Sequence, residues 1–350
     1  MIAFSAFKNN CDSVQLARPE FILVQDHHYD ETDRNFPLQD LLDNSLCDPL
    51  DHVVIFDHVL QHQDVLQSYN LLCLPIFVAN TCRDFVAAHI TPDWKNKTHT
   101  FNFMINKPRL NRDFLLLLVS YFELKNYAHT LCWKQSNFDR ATLRQKTDNQ
   151  HYQNVIESTA QSVPTRSFLT QHENLVLDRG LKYGTARNHD NYKNFLQKNI
   201  FEPSCVSLIT EPGFYERETI ITEKTIMAMW GGTIPIWVGG WRIPDYLRDL
   251  GFDLFDDVVD HSYQDLPDPW DRCYYAVTKN LDLLQNFDQV KNIIDHSQDR
   301  LAKNLQLLKS DLFRRTIMEK IQPYSSCQDL YNGVVRAVNQ SLTPALKYHD

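Results

Sequence analysis

Positive charge is in short supply in this chain. It carries 35 Lys and Arg against 44 Asp and Glu, a net charge of −9 with a pI near 5.8. A nucleic-acid binder normally presents a basic face, so no nucleic-acid partner is expected. Any phosphate site must then be a local cluster of a few cations. Paired cysteines are also missing: the eight cysteines (11, 47, 73, 82, 132, 205, 273, 327) are scattered without a C-x-x-C. That excludes a zinc knuckle and gives no sign of a disulfide framework. Cys73, inside LLCLPIFVA, reads as a small buried thiol. No run approaches the roughly 18 apolar residues of a membrane helix, and MIAFSAFKNNCDS turns polar too soon for a signal peptide. The sequons at Asn96 and Asn339 therefore carry little weight. A reduced, cytoplasmic setting is expected, the host cytoplasm if the chain is viral.

Several catalytic signatures are absent as well. There is no G-x-G-x-x-G, no G-x-x-x-x-G-K-[ST], no H-E-x-x-H and no G-x-S-x-G. No D-x-D occurs, which disfavours transferases that hold a metal and a diphosphate through that motif. His58 and His62 would share a face if their segment were helical, but they lack a third ligand and read better as surface polar residues. Neither metal nor organic cofactor is expected.

What remains is an ordinary globular composition, 43% hydrophobic and 23% charged, over 350 residues, enough for about two domains. Apolar runs at Phe21–Val24, His52–Phe56 and Leu71–Val78 predict a small α/β unit. Residues 90 to 100 read as a linker. A strand at 101–105, a loop and the helix DFLLLLVSYFEL follow; residues 134 to 175 look irregular, and a helix covers about Asn191 to Lys198. Beyond 240 we expect a short helix stopped by Gly251, a strand-like FDLF, and long helices at about 269–285 and 288–321. Alternating strands and helices predict parallel sheets. The expected divisions are 1–98, 99–312 and a helical tail, 313–350.

The stretch from Ser204 to Gly240 holds the densest information. An apolar strand (Cys205–Ile209), a polar loop, a helix headed by Thr222-Glu223-Lys224 and a second strand (Ile234–Val238) follow in turn. This places Glu223 and Lys224 where a sheet's carboxyl edge meets a helix N-terminus, the usual ligand crevice of α/β sheets and a good anion site. Lys224 suits phosphate, and Glu223 suits polyol hydroxyls. Arg109 and Arg112, heading the helix after strand 101–105, oppose that helix's dipole, which a bound diphosphate would explain.

Read together, Leu208-Ile209-Thr210-Glu211, Thr222-Glu223-Lys224 and Ile234-Pro235-Ile236-Trp237-Val238-Gly239 resemble the α-1,3-fucosyltransferase signature. FMINKPRLNRDFLLLL resembles that family's arginine-headed helix, with Arg112 at the arginine. The resemblance spans about residues 101 to 260, and YLRDLGFDLFDDVVDHSYQDLPDPWDR is similar to phage-encoded relatives. It implies a GT-B-like α/β fold, two Rossmann-like domains facing a central cleft, with C-terminal helices. It also implies metal-independent, inverting transfer from a nucleotide-diphosphate sugar donor, GDP-fucose-like, to a glycan acceptor. By position, Arg112 and Lys224 would hold the diphosphate, Glu223 the sugar or ribose hydroxyls, and Glu211 would line the pocket. The family's tyrosine before T-E-K is Ile220 here, and its F-E-N asparagine is Pro212. Tyr215 or Arg217 stands in the longer loop as a substitute.

Inverting transfer needs a carboxylate base to deprotonate the acceptor hydroxyl. Asp57 and Asp26, at predicted strand ends, are the candidates, with Asp93 third. Two alternatives stay open: a non-catalytic nucleotide-sugar or carbohydrate binding protein, and an exostosin-like transferase with another donor.

Overall fold

The computed structural model describes residues 2–5, 21–25, 53–56, 59–62, 70–89, 91–105, 109–131, 140–159, 196–212, 214, 218–324 and 328–339. One parallel sheet takes β1 (Ile2–Ser5), β2 (Phe21–Gln25), β3 (Val53–Phe56) and β5 (Asn70–Cys73), in that spatial order. β4 (Val59–His62) leaves this sheet and pairs antiparallel with β9 (Glu218–Ile220). A second parallel sheet joins β6 (His99–Ile105), β7 (Tyr127–Leu131), β8 (Ser204–Ile209) and β10 (Ile234–Trp237) in the order β10-β8-β6-β7. The protein is thus α/β with parallel sheets, as the alternation of strands and helices predicts.

Strand periodicity explains how the second sheet is covered on both faces. Phe101, Phe103, Val206, Leu208, Ile234 and Ile236 belong to one core cluster. Met104, Ile209 and Trp237, one residue out of step with them, belong to another. The first face packs on α2 (Leu110–Tyr121), whose Phe114 to Val119 are all buried. The second packs on α5 (Glu223–Trp230), through Ile226, Met227 and Trp230.

The strand order has a consequence for function. From β6 the chain passes through α2 to β7 on one side, whereas β8, on the other side of β6, passes through α5 to β10. The winding reverses between β6 and β8, and α2 and α5 lie on opposite faces. Both helices begin at the carboxyl edge beside that reversal, which is where open α/β sheets bind ligands.

Several expectations need correction. The run Leu71–Val78 is not one strand: Pro75 offers no N–H to the ladder, and α1 (Ile76–Ala87) begins directly after it. Cys73 is only partly buried, whereas Cys82, Cys205 and Cys273 are buried. His62 ends the strand Val59–His62, and His58 lies outside the described residues. Within 134–175 lie α3 (Arg140–Gln145) and α4 (Gln150–Ser158). Asn149 caps α4, whose Tyr152, Val155 and Ile156 are buried at helical spacing. Of the helix expected at 191–198, residues 191–195 lie outside the described residues, and Leu196 is helical and leads into a π-helical turn at Gln197–Phe201.

FDLF is not a strand. After α6 (Ile243–Asp249), the Asp253 carboxylate accepts from the Phe255 N–H, and Phe255 adopts a left-handed φ of 63°. Arg300 clamps this turn, donating to Asp253 and Asp257 while lying 4.2 Å from the Phe255 ring centre. The long helices are segmented into α7 (Pro269–Thr278), α8 (Leu281–Gln285), α9 (Phe287–His296), α10 (Gln298–Lys309) and α11 (Leu312–Ile321). Asn280 and Asn286 interrupt them by bonding backbone groups, Asn280 at Asp260 and Ala276, Asn286 at Gln289. α11 and α12 (Gln328–Asn339) pack on α1, joining Leu72, Leu74 and Ile76 to Ile317, Ile321 and Val334. The C-terminal helices are therefore built onto the end of the first sheet.

Among the described residues no helix is long and apolar enough to cross a membrane.

The turn after α6 predicts an acid dependence. Asp256 sits at about 2, held below its ordinary 3.8 first by hydrogen bonds from Arg248, against burial, and further by His261. A depressed carboxyl stabilises the fold above its unfolded value and loses that contribution as pH falls through the folded value. The melting temperature should therefore decline from about pH 4 to about pH 2, more steeply in the native chain than in Asp256→Asn. At pH 7 the substitution should cost about 1 kcal/mol or less, because the pair is half exposed. Parallel pH profiles for the two proteins would remove Asp256 from this role.

Candidate functional site

The carboxyl edge of β8 is organised by one buried carboxylate. Glu211, 1% exposed, lies on the α5 side of the sheet. Its Oε1 accepts from the Thr222 N–H at 2.9 Å and from the Thr225 hydroxyl at 2.6 Å, and its Oε2 accepts from the Thr222 hydroxyl. Thr225 in turn accepts from the Trp237 indole N–H at 2.9 Å. Thr222 is the N-cap of α5, its hydroxyl accepting from the Lys224 N–H. Strand β8, helix α5 and strand β10 are thereby joined at a single point.

This arrangement alters one expectation. At the N-terminus of α5 Glu211 already takes the Thr222 N–H and the Thr222 hydroxyl takes the Lys224 N–H, so two of the backbone donors a phosphate would meet are occupied. A second anion on the same backbone groups would face like-charge repulsion in a buried setting. Phosphate at this edge must therefore be met by side chains.

Those side chains come from both helices. Lys224 is 6% exposed, with its ammonium 3.4 Å from the Glu223 carboxylate and 3.3 Å from the Thr222 hydroxyl. Glu223 is about one-third open to solvent, at 35%. Burial raises the Glu223 carboxyl, but the charge of Lys224, a backbone hydrogen bond and the charge of Arg112 together hold it below its ordinary value. The two helix starts are linked through Glu211, whose carbonyl accepts from Asn111 of α2 and whose carboxylate accepts from the Thr222 N–H at the head of α5. Arg112 lies in the first turn of α2 and is 4% exposed, and Arg109 is the N-cap of the same helix. Both cations oppose the dipole of α2, while Asp113 in the same first turn suits it.

Asn111, between them, is fully buried and sets the geometry. Its Nδ2 donates to the Glu211 carbonyl at 2.9 Å and to the Val238 carbonyl at 3.4 Å. These partners lie 100 and 127 residues away in sequence, so no local signal singles out Asn111. The following turn runs through Gly239 and Gly240, at φ 88° and 76°, which only glycine adopts without strain. A Cβ on Gly239 would also lie 3.4 Å from Asn111 and from the Cys273 sulfur.

Of the expected site residues, Arg109, Arg112, Glu211, Glu223 and Lys224 all lie at this edge. Asp57, Asp26 and Tyr215 lie outside the described residues. Asp93 does not belong to this site. It is exposed and accepts from the Lys95 N–H and the Asn96 amide, closing its own turn. Its neighbours Trp94 and Lys97 bond the carbonyls of Trp230 and Gly231, at the opposite end of α5. An eight-residue helix, about 12 Å long, separates it from Glu223.

An open depression of about 550 Å³ beside α6 is a poor alternative for an anion. Asp245, Asp256, Asp257, Asp260 and Asp265 line it against Arg248 and His261. Among the described residues no group of three or more His, Cys, Asp or Glu has the geometry of a metal site.

Glu211 should prove structurally decisive. Glu211→Ala would leave the Thr222 N–H and two hydroxyls without their acceptor, lowering stability by about 3 kcal/mol in urea unfolding. A loss near zero would mean that these bonds do not hold the crevice together. Comparison with protein-family models, with curated proteins and with solved structures finds no match to this chain, so its functional reading stands on the crevice itself.

Proposed function

We propose that this chain is an inverting, metal-independent glycosyltransferase whose donor is a nucleotide-diphosphate sugar, with a GDP-sugar of the fucose type as first candidate. The observation that carries this reading is that the starts of α2 and α5, which bear Arg112 and Glu223-Lys224, reach one sheet edge from opposite faces and are joined there through Asn111 and Glu211. Two fixed cations suit a departing diphosphate, whose charge grows as the glycosidic bond breaks. The ionised, partly open Glu223 beside them suits sugar or ribose hydroxyls, because a carboxylate only accepts hydrogen bonds.

The β4–β9 ribbon supports a GT-B-like reading. β3 of the first sheet and β4 are separated only by Asp57 and His58, and β4 pairs Val59 with Ile220, three residues before Glu223. The carboxyl end of a strand in one parallel sheet is thereby linked to the carboxyl edge of the other. We take this as two Rossmann-like units facing a common cleft, the glycan acceptor entering from the first. Asp57, in the two-residue link, is our preferred base. Asp26, which directly follows β2, is the second choice.

Three outcomes follow from the proposal. Lys224→Ala should weaken donor binding by roughly 1.5–3 kcal/mol, the scale of a charged hydrogen bond. Asp57→Asn should bind the donor as the native chain does and transfer no sugar, as read by product formation from labelled donor. Full transfer by that variant removes Asp57. Transfer should survive EDTA, and its loss would contradict the metal-free route. Donor binding without turnover by the native chain would favour the non-catalytic binding protein.

A further inference from the structure

Two loops rim the crevice, one following β8 and one following β10, and a single buried cation touches both. Arg272, in the first turns of α7, has no exposed surface. Its Nη2 donates to the carbonyl of Phe214, in the loop after β8, at 3.0 Å. Its Nη1 donates to the carbonyls of Leu266 and Pro267 at 2.9 and 3.2 Å. The guanidinium carbon lies 5.4 Å from the centre of the Trp241 ring, in the loop after β10. Trp241 passes the contact on, because its carbonyl accepts from the buried Thr219 hydroxyl at 2.9 Å. Thr219 is the centre of β9, which leads through Ile221 and Thr222 to Glu223 and Lys224.

We propose that Arg272 is a positioning residue of the crevice: its guanidinium holds the two strand-end loops in one relative placement and so fixes where Glu223 and Lys224 stand. The proposal builds on the functional reading of that crevice. Burying a guanidinium costs several kcal/mol by desolvation, and an apolar side chain of similar volume would serve packing alone at least as well. What an apolar side chain lacks is a planar fork that bonds three carbonyls in two directions while stacking on an indole. Lysine lacks it too, because one ammonium cannot occupy both ends of the fork. The route to the ligand is indirect, through Trp241, Thr219 and β9, so Arg272 acts on the reaction only through the residues it places.

The test is hydrogen exchange on the full chain without ligand, comparing the native protein with Arg272→Lys and with Thr219→Val. The second variant keeps the side-chain shape, cuts the clamp at its far end and guards against a lysine variant that does not fold. Both should speed exchange of the amides from Glu218 to Lys224 by about tenfold while those of β6 and β8 keep their protection. Unchanged exchange at 218–224 overturns the proposal, and so does a uniform rise across all elements, which marks simple loss of stability. GDP binding by calorimetry separates this from the parent reading. If the native chain binds GDP, the dissociation constant should rise about tenfold in both variants at a temperature where they are folded. If the native chain binds no GDP, the parent reading fails, and the exchange data still decide the clamp.

Discussion

The crevice depends on a buried carboxylate that is not itself available to a ligand. Glu211 gathers the Thr222 N–H, the Thr222 hydroxyl and the Thr225 hydroxyl at the end of β8, and Thr225 carries the chain of bonds to Trp237 of β10. A buried carboxyl group needs its oxygens satisfied by donors, and these three partners satisfy them. Without it, α5 would have no fixed start, and Glu223 and Lys224 would have no fixed place. The same carboxylate takes the Thr222 N–H at the helix start. On the proposed reading, an anion at this edge is met by Lys224 and Arg112.

That division of labour fits a chain poor in positive charge. With a net charge of −9 there is no broad field to draw in phosphate, so the attraction must be short-range and built from a few buried cations. Their placement follows from topology. The reversal of winding between β6 and β8 puts the starts of α2 and α5, with residues 112 and 224, beside the same edge on opposite faces. Asn111 holds the two strand ends together beneath them.

The second sheet and its helices could be read from the chain because their signals are local. Continuous apolar runs mark β6, β8 and β10, and the Gly231-Gly232 pair ends α5. The acidic and basic residues of T-E-K and of R-L-N-R could be picked out for the same reason. What escaped prediction depends on partners distant in sequence. β9 is a three-residue strand that exists only because β4, some 160 residues earlier, pairs with it. Asn111 and Arg272 act on carbonyls supplied by other elements, and nothing in their neighbourhoods announces it. FDLF alternates like a strand, but the Asp253 side chain and the Arg300 clamp, from 47 residues away, impose a turn instead. Glu211 was visible as a strand-end acid, but only its three donors reveal that it is occupied with the fold.

On the proposed reading, the edge between α2 and α5 takes a nucleotide diphosphate through its side-chain cations. The most direct measurement is thermal unfolding of the native chain against a panel of nucleotide-diphosphate sugars, repeated with Lys224→Ala. At least one member of the panel should raise the melting temperature of the native protein and leave that of the variant unchanged. If no member stabilises the native chain, or if the variant is stabilised equally, the crevice is not a nucleotide-diphosphate site.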